Sequence, residues 1–333
     1  MNKTEIIKKT LNHEELPVVP YAINLTANAY KKYGTKLLDQ YGSEKIKEDY
    51  KKGVLSLAEA VGLAIGNHML NVYAPWWIFY DVPEYFKEEE TPEDLPDTIG
   101  YGSYEAFFEH VKYIKENYDV YTLATFFGSH WEKAHSLRGI ENFLCDMAVE
   151  PEWAQQLLDM IIRKNLVMIE NILPCKDIDG VLLGSDWGTQ KDLFISPECF
   201  RKMIKGGEKQ EYDLIHKKGK DVFVHSCGNI ARIMDDLVEI GVQGLNPIQP
   251  ECMDIKWLKE NYGDSITFYG GISTQQTLPY GTPEDVVRET NEVVELMSKG
   301  GGYITAPSQG IQEDVPYENL IALIEAAKKW AQP

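Results

Sequence analysis

The run Asp221-Val222-Phe223-Val224-His225-Ser226-Cys227-Gly228 decides how this chain is read. A short apolar strand breaks off in His-x-Cys, and Gly228 permits a tight turn. Beyond the turn, Ile230, Ile233, Leu237 and Ile240 recur at helical spacing until Gly241 stops them. The unit is therefore strand, chemistry-bearing turn, helix, and it repeats on both sides. Upstream, Ile178 to Leu183 ends in Gly184-Ser185-Asp186, and Ser196-Pro197-Glu198 opens a helix that Lys217-Lys218-Gly219 closes. Downstream, Val242 to Asn246, Ile266 to Tyr269 and Tyr303 to Ala306 read as strands. Helices are expected from Ile255 to Tyr262, after the capping box at Thr282-Pro283-Glu284-Asp285, and from Tyr317 to Trp330. Short connections between alternating strands and helices require parallel strands.

Three candidates in the first half bring the strands to eight: Val18 to Ile23, Val61 to Ile65 and Val120 to Phe126. The second has an alternative reading as the tail of a helix over Leu55 to Leu63. Helices at 104–117 and 151–173 complete an outer ring, with helical additions near the N-terminus and an acidic, proline-bearing loop near 84–103. The expectation is one (β/α)₈ TIM-type barrel over residues 1–333. Neither a Gly-x-Gly-x-x-Gly fingerprint nor a P-loop interrupts the pattern.

Composition narrows the function classes. The 333 residues carry 33 Lys and Arg against 52 Asp and Glu, a net charge of −19. That balance excludes a nucleic-acid binder, which needs clustered cations to neutralise phosphates. The N-terminus has no apolar signal core and no run of 18 apolar residues occurs, so a cytoplasmic protein without membrane spans is expected. The five cysteines form no C-x-x-C pair, which fits reduced thiols and leaves any special one as ligand or nucleophile.

In such a barrel, chemistry collects where strands end. The strand-end residues are Asn24; Asn67 and His68; Phe127 and His130; Asp186; His225 and Cys227; Asn246 and Gln249 to Glu251; Gly270 and Gly271; and Ser308 with Gln309. An imidazole beside a thiolate suits zinc, which needs a third protein ligand and an open position for catalysis. That ligand is sought among Gln309, Glu251, Asp186 and Cys252; otherwise His225 and Cys227 hydrogen-bond around the turn. Asp186 reads as general acid/base, metal ligand or cap, and His225 as a second catalytic residue. His130 either meets substrate or packs within its loop. Tyr73, Trp76, Trp77, Phe79 and Tyr80 are candidates for an apolar substrate wall, or else for core or a partner interface, with Asn24, Asn246 and Gln249 as polar contacts.

Several strings resemble, in order, the uroporphyrinogen decarboxylase superfamily and its corrinoid-dependent methyltransferase branch. They are Thr10-Leu11-Asn12-His13 to Val19-Pro20, Leu137 to Asn142, Asp179 to Gln190, His225 to Asn229, Leu245 to Pro250, Phe268 to Ile272, Gly300 to Gln312, and Val315 to Asn319. The resemblance implies the (β/α)₈ barrel. Uroporphyrinogen decarboxylases clamp their polycarboxylate with arginines after the first strand, whereas Tyr21 to Asn28 here holds neither Arg nor Lys. With −19 overall, that substrate meets repulsion. The methyltransferase branch implies zinc on His225, Cys227 and a third ligand aligning with Gln309. It further implies a small methyl donor, aromatic ones included, and a corrinoid on a separate protein as acceptor. Two other functions stay open: a metal-free decarboxylase of a smaller acid using Asp186, and a catalytically silent binding barrel.

Overall fold

A computed structural model describes residues 1–76, 103–126 and 128–332. Among the described residues there are seven strands: β1 (Met69–Tyr73), β2 (Tyr121–Phe126), β3 (Gly180–Gly184), β4 (Asp221–His225), β5 (Gly244–Ile248), β6 (Thr267–Ile272) and β7 (Tyr303–Pro307). They form one sheet in sequential order, every neighbouring pair parallel. Before β1 come α1 (Lys3–Leu11), α2 (Ala27–Tyr41), α3 (Glu44–Lys51) and α4 (Leu57–Ala64). Between β1 and β3 lie α5 (Tyr104–Asn117), α6 (His130–Arg138), α7 (Ile140–Val149) and α8 (Pro151–Ile172). Next are α9 (Pro197–Cys199), a π-helical turn (Phe200–Ile204), α10 (Lys205–Lys217) and α11 (Met234–Glu239). The last helices are α12 (Ile255–Tyr262), α13 (Thr277–Tyr280), α14 (Pro283–Met297) and α15 (Tyr317–Trp330). Trp77, Phe79, Tyr80, Phe127 and the acidic stretch up to residue 102 lie outside the described residues. No helix among the described residues is long and apolar enough to cross a membrane.

Two expected strands come out differently. Val61 to Ile65 is helical, because Ser56 and Glu59 form a reciprocal capping box that starts α4, and Gly66 at φ +88° ends the run. The strand lies further on, at Met69–Tyr73. Asn67 and His68 therefore precede β1 and stand at the end opposite the expected site. Residues 18–23 form no regular strand either, since Pro17 and Pro20 remove two ladder donors. What remains is a parallel bridge of Tyr21 with Thr305 and another of Leu25 with Ile311.

The bridged segment is nevertheless tied on both flanks. Ala22 N donates to Thr305 O at 3.0 Å, and Thr305 N to Pro20 O at 2.8 Å. On the other side His68 N donates to Tyr21 O at 2.9 Å. Asn67, buried, accepts at Oδ1 from Ile23 N at 2.9 Å and donates from Nδ2 to Ile23 O at 3.0 Å. Asn67→Ala would strand both Ile23 groups away from water, and a stability loss of about 2 to 4 kcal/mol is expected in urea unfolding.

Strand alternation sorts the core into two bodies. Leu123, Leu182, Phe223, Tyr269, Ile304 and Ala306 turn to the inner face, where Ile7 and Leu11 of α1 join them. Their neighbours Ala124, Val181, Leu183, Val222, Val224, Phe268 and Tyr303 face outward into the helices. The inner face is thus filled by side chains rather than left as a pore, and polar chemistry is confined to the strand ends.

Candidate functional site

The registers set the site. Gly184 pairs with His225 and His225 with Asn246, so the turns after β3, β4 and β5 leave the sheet side by side. Backbone bonds hold them: Ser185 N to His225 O at 2.8 Å and Ser226 N to Asn246 O at 2.7 Å. The turns also press backbone on backbone at Gly188 and Gly228. A Cβ on Gly228, at φ +84°, would lie 2.5 Å from Gly188 C.

This packing brings Asp186, His225 and Cys227 together, with one ligand-capable atom of each lying within 4.8 Å of the others. Cys227 Sγ stands 3.4 Å from His225 Nε2, which is 3.7 Å from Asp186 Oδ1. Asp186 Oδ1 also accepts from Cys227 N at 2.8 Å. His225 Nδ1 contacts Asn246 Oδ1 at 2.8 Å, which turns Nε2 toward the cluster. Burial pushes the Cys227 thiol far above its usual range, and the Asp186 carboxylate adds to that. A thiol kept protonated beside a carboxylate can ionise here only when a cation joins them. The imidazole, thiol and carboxylate donors fit zinc, with an outer partner already fixing the ring.

Gln309 reaches the cluster in a different role from that implied. Its Nε2 donates to Cys227 Sγ at 3.0 Å, and its Oε1 accepts from Gly310 N at 2.9 Å. The amide presents a donor to sulfur rather than a lone pair to a metal. Gln249 braces the turn, its Oε1 accepting from Gly228 N at 2.6 Å. Glu251 stays outside the group, its Oε1 taking the Ser273 hydroxyl. Cys252 also stays outside, its thiol directed to Gln249.

Beside the cluster is a cavity of about 180 Å³ lined by Asn24, Asn71, Tyr73, His225, Asn246, Tyr269 and Gln309, among others. Asn24 Nδ2 donates to the Tyr269 hydroxyl at 3.2 Å. Three expected substrate contacts lie elsewhere, Gln249 being taken up by the Gly228 N–H instead of lining the cavity. Trp76 is buried against Phe126, ring centroids 4.3 Å apart, and does not line this cavity. His130 is fully buried beneath α10, because its position at the start of α6 points it away from the strand ends.

Of the aromatic run, Tyr73 does line the cavity, while Asn71 escapes sequence reading because its strand is expected too early. Sequence reading also misses Glu132 in the first turn of α6. Burial and the Asp186 charge raise this carboxyl to about 7, and nothing in the local sequence signals the approach. Asn246→Ala removes the partner that orients His225. Metal affinity is expected to fall about 10- to 100-fold in chelator competition.

A parallel α/β sheet with thiol, imidazole and carboxylate converging at its strand ends defines a protein whose chemistry sits above the C-termini of its strands. The chain belongs to the uroporphyrinogen decarboxylase (URO-D) family, whose sequence profile matches residues 58–330. Among curated relatives, it is 26% identical over 136 residues to methylcobamide:CoM methyltransferase MtaA of Methanosarcina barkeri, covering 41% of this chain and 38% of that protein. It is 22% identical over 200 residues to a methylated-thiol–coenzyme M methyltransferase of Methanosarcina mazei, covering 60% and 51%. The matches thus span about half or less of these relatives. A solved methyltransferase from Methanosarcina mazei has the same fold, with TM-score 0.71 over all of both chains at 19% identity.

Proposed function

We propose that the chain transfers a methyl group between a small heteroatom compound and the cobalt of a corrinoid carried on a separate protein. The single observation that carries this reading is the Asp186–His225–Cys227 cluster opening beside a cavity at the strand ends. The methyltransferase names of the two curated relatives support it. In this reading residues 18–25 act as the eighth stave of one closed barrel over the whole chain, supported by their bonds to both β7 and His68.

Cys227, His225 and Asp186 would hold zinc. When bound there, zinc supplies Lewis acidity that favours the anionic form of the heteroatom that bears or receives the methyl group. The chain's own residues do the rest. Asn246 fixes the imidazole, and the Gln309 N–H stabilises negative charge on Cys227 sulfur. Tyr269, Asn24 and Asn71 offer hydrogen bonds to the small molecule's polar groups. Trp131 holds the Asp186 backbone, its Nε1 donating to the carbonyl at 3.0 Å. In transfer to a corrinoid, the heteroatom–carbon bond breaks and its pair stays on the heteroatom, while the reduced cobalt supplies the pair for the new bond. With a thiol as acceptor the flow reverses and the thiol proton leaves.

The test is anaerobic absorbance of a methylated corrinoid mixed with the protein and a panel of small thiols. Protein-dependent loss of the methyl–cobalt band with formation of a thioether is expected. Inertness in both directions, with carbon dioxide released instead from a small carboxylate, would support a decarboxylase and refute the proposal.

A further inference from the structure

A second cluster lies behind the first, between helices rather than at the strand ends. His130 opens α6, while Glu208 and Glu211 sit three residues apart on one face of α10. All three are fully buried. The carboxylates are arranged alike. Glu208 Oε2 accepts from the Tyr212 hydroxyl at 2.5 Å, and Glu211 Oε1 accepts from Asn165 Nδ2 at 2.7 Å. Each therefore has one oxygen engaged by a neutral donor, and the other, Oε1 of Glu208 and Oε2 of Glu211, makes no hydrogen bond.

One carboxylate oxygen of each glutamate and a ring nitrogen of His130 converge within 4.8 Å. His130 Nδ1 is 3.2 Å from Glu208 Oε1, yet the pair lacks the alignment of a hydrogen bond. Ligands about 2.1 Å from one ion stand roughly 3.0 to 3.4 Å apart, which matches that spacing. A side chain on Gly207 would strike His130 Nε2 at 2.9 Å, so this glycine lets α10 close upon the ring. Carboxylates braced by outer donors around an inward imidazole are the arrangement of metal sites built between helices.

From this geometry we propose that His130, Glu208 and Glu211 form a second, structural site for a divalent first-row cation of the manganese, iron or zinc class. Its donors are oxygen-rich, unlike those of the thiol-bearing cluster. The ion joins α6 to α10, and through Asn165 to α8. It lies one residue from Trp131, whose indole holds the Asp186 backbone, so it steadies the strand-end site without entering its chemistry. The proposal does not depend on the function proposed above.

The test removes the first cluster by His225→Ala and Cys227→Ser, expresses the full chain in manganese-supplemented medium, and counts metal after gel filtration. About one equivalent is expected to remain, and adding Glu208→Gln with Glu211→Gln should abolish it. No retained metal, or metal unaffected by the two glutamines, would overturn the site. Should the glutamine variants fail to fold, anomalous diffraction from the manganese-grown native chain decides. A peak roughly 2.1 Å from all three side chains is expected, and a map without one refutes the proposal.

Discussion

Replacing Cys227 with serine is expected to remove zinc from the strand-end cluster and to slow methyl transfer about 10³-fold. The sulfur lies 3.4 Å from His225 Nε2 and takes the Gln309 N–H at 3.0 Å, so it is the atom the cluster shares most closely. Serine oxygen is a poor zinc ligand at neutral pH because its hydroxyl does not ionise. Losing the metal forfeits several kcal/mol of charge stabilisation, and each 1.4 kcal/mol is a factor of ten in rate. Cys145 is exposed on α7, remote from the strand ends, and Cys145→Ser should leave metal content and rate unchanged. Plasma emission of the purified proteins and the corrinoid absorbance assay read both outcomes.

Gly228→Ala is expected to be nearly as damaging although it touches no donor atom. At φ +84° an alanine is strained by about 1 to 2 kcal/mol. The larger effect is collision: the new Cβ would lie 2.5 Å from Gly188 C and 2.6 Å from Thr189 O. Both are backbone atoms that cannot swing aside, so the turns after β3 and β4 must separate. Cys227 and Asp186 ride on those turns, and a displacement near 1 Å costs about 100-fold in rate. Gly219→Ala separates the causes, because Gly219 has φ +70° but nothing within 4 Å of its Cβ position. Only the strain cost should appear there, as a small drop in melting temperature with the transfer rate intact.

The second half of the fold was legible because its strands end in punctuated turns. From Ile178 onward, each apolar run breaks at Gly, His, Asn or Pro, and β3 to β7 fall where periodicity places them. The first half misled for local reasons. Val61 to Ile65 has a strand's composition, but the capping box at Ser56 and Glu59 commits it to α4. Residues 18–23 have the burial of a strand, while two prolines leave only isolated bridges.

The site was half legible. His225 and Cys227 share one turn, so their meeting follows from the sequence, as does Asn246 at the end of the neighbouring strand. Asp186 reaches them only through the β3–β4 register, which spacing along the chain does not encode. Gln309 was placed correctly but its chemistry was not, since Gly310 N captures the amide oxygen and turns the N–H toward sulfur. For His130 the sequence leaves substrate contact and packing both open, and the structure packs it against α10, far away in sequence.

The central claim is that Cys227, His225 and Asp186 form one metal centre, and zinc K-edge absorption fine structure of the zinc-loaded protein tests it most directly. One sulfur near 2.3 Å with nitrogen and oxygen neighbours near 2.0 to 2.2 Å is predicted, the sulfur vanishing in Cys227→Ser. A zinc shell of oxygen and nitrogen alone, identical in the wild type and in Cys227→Ser, would contradict the account.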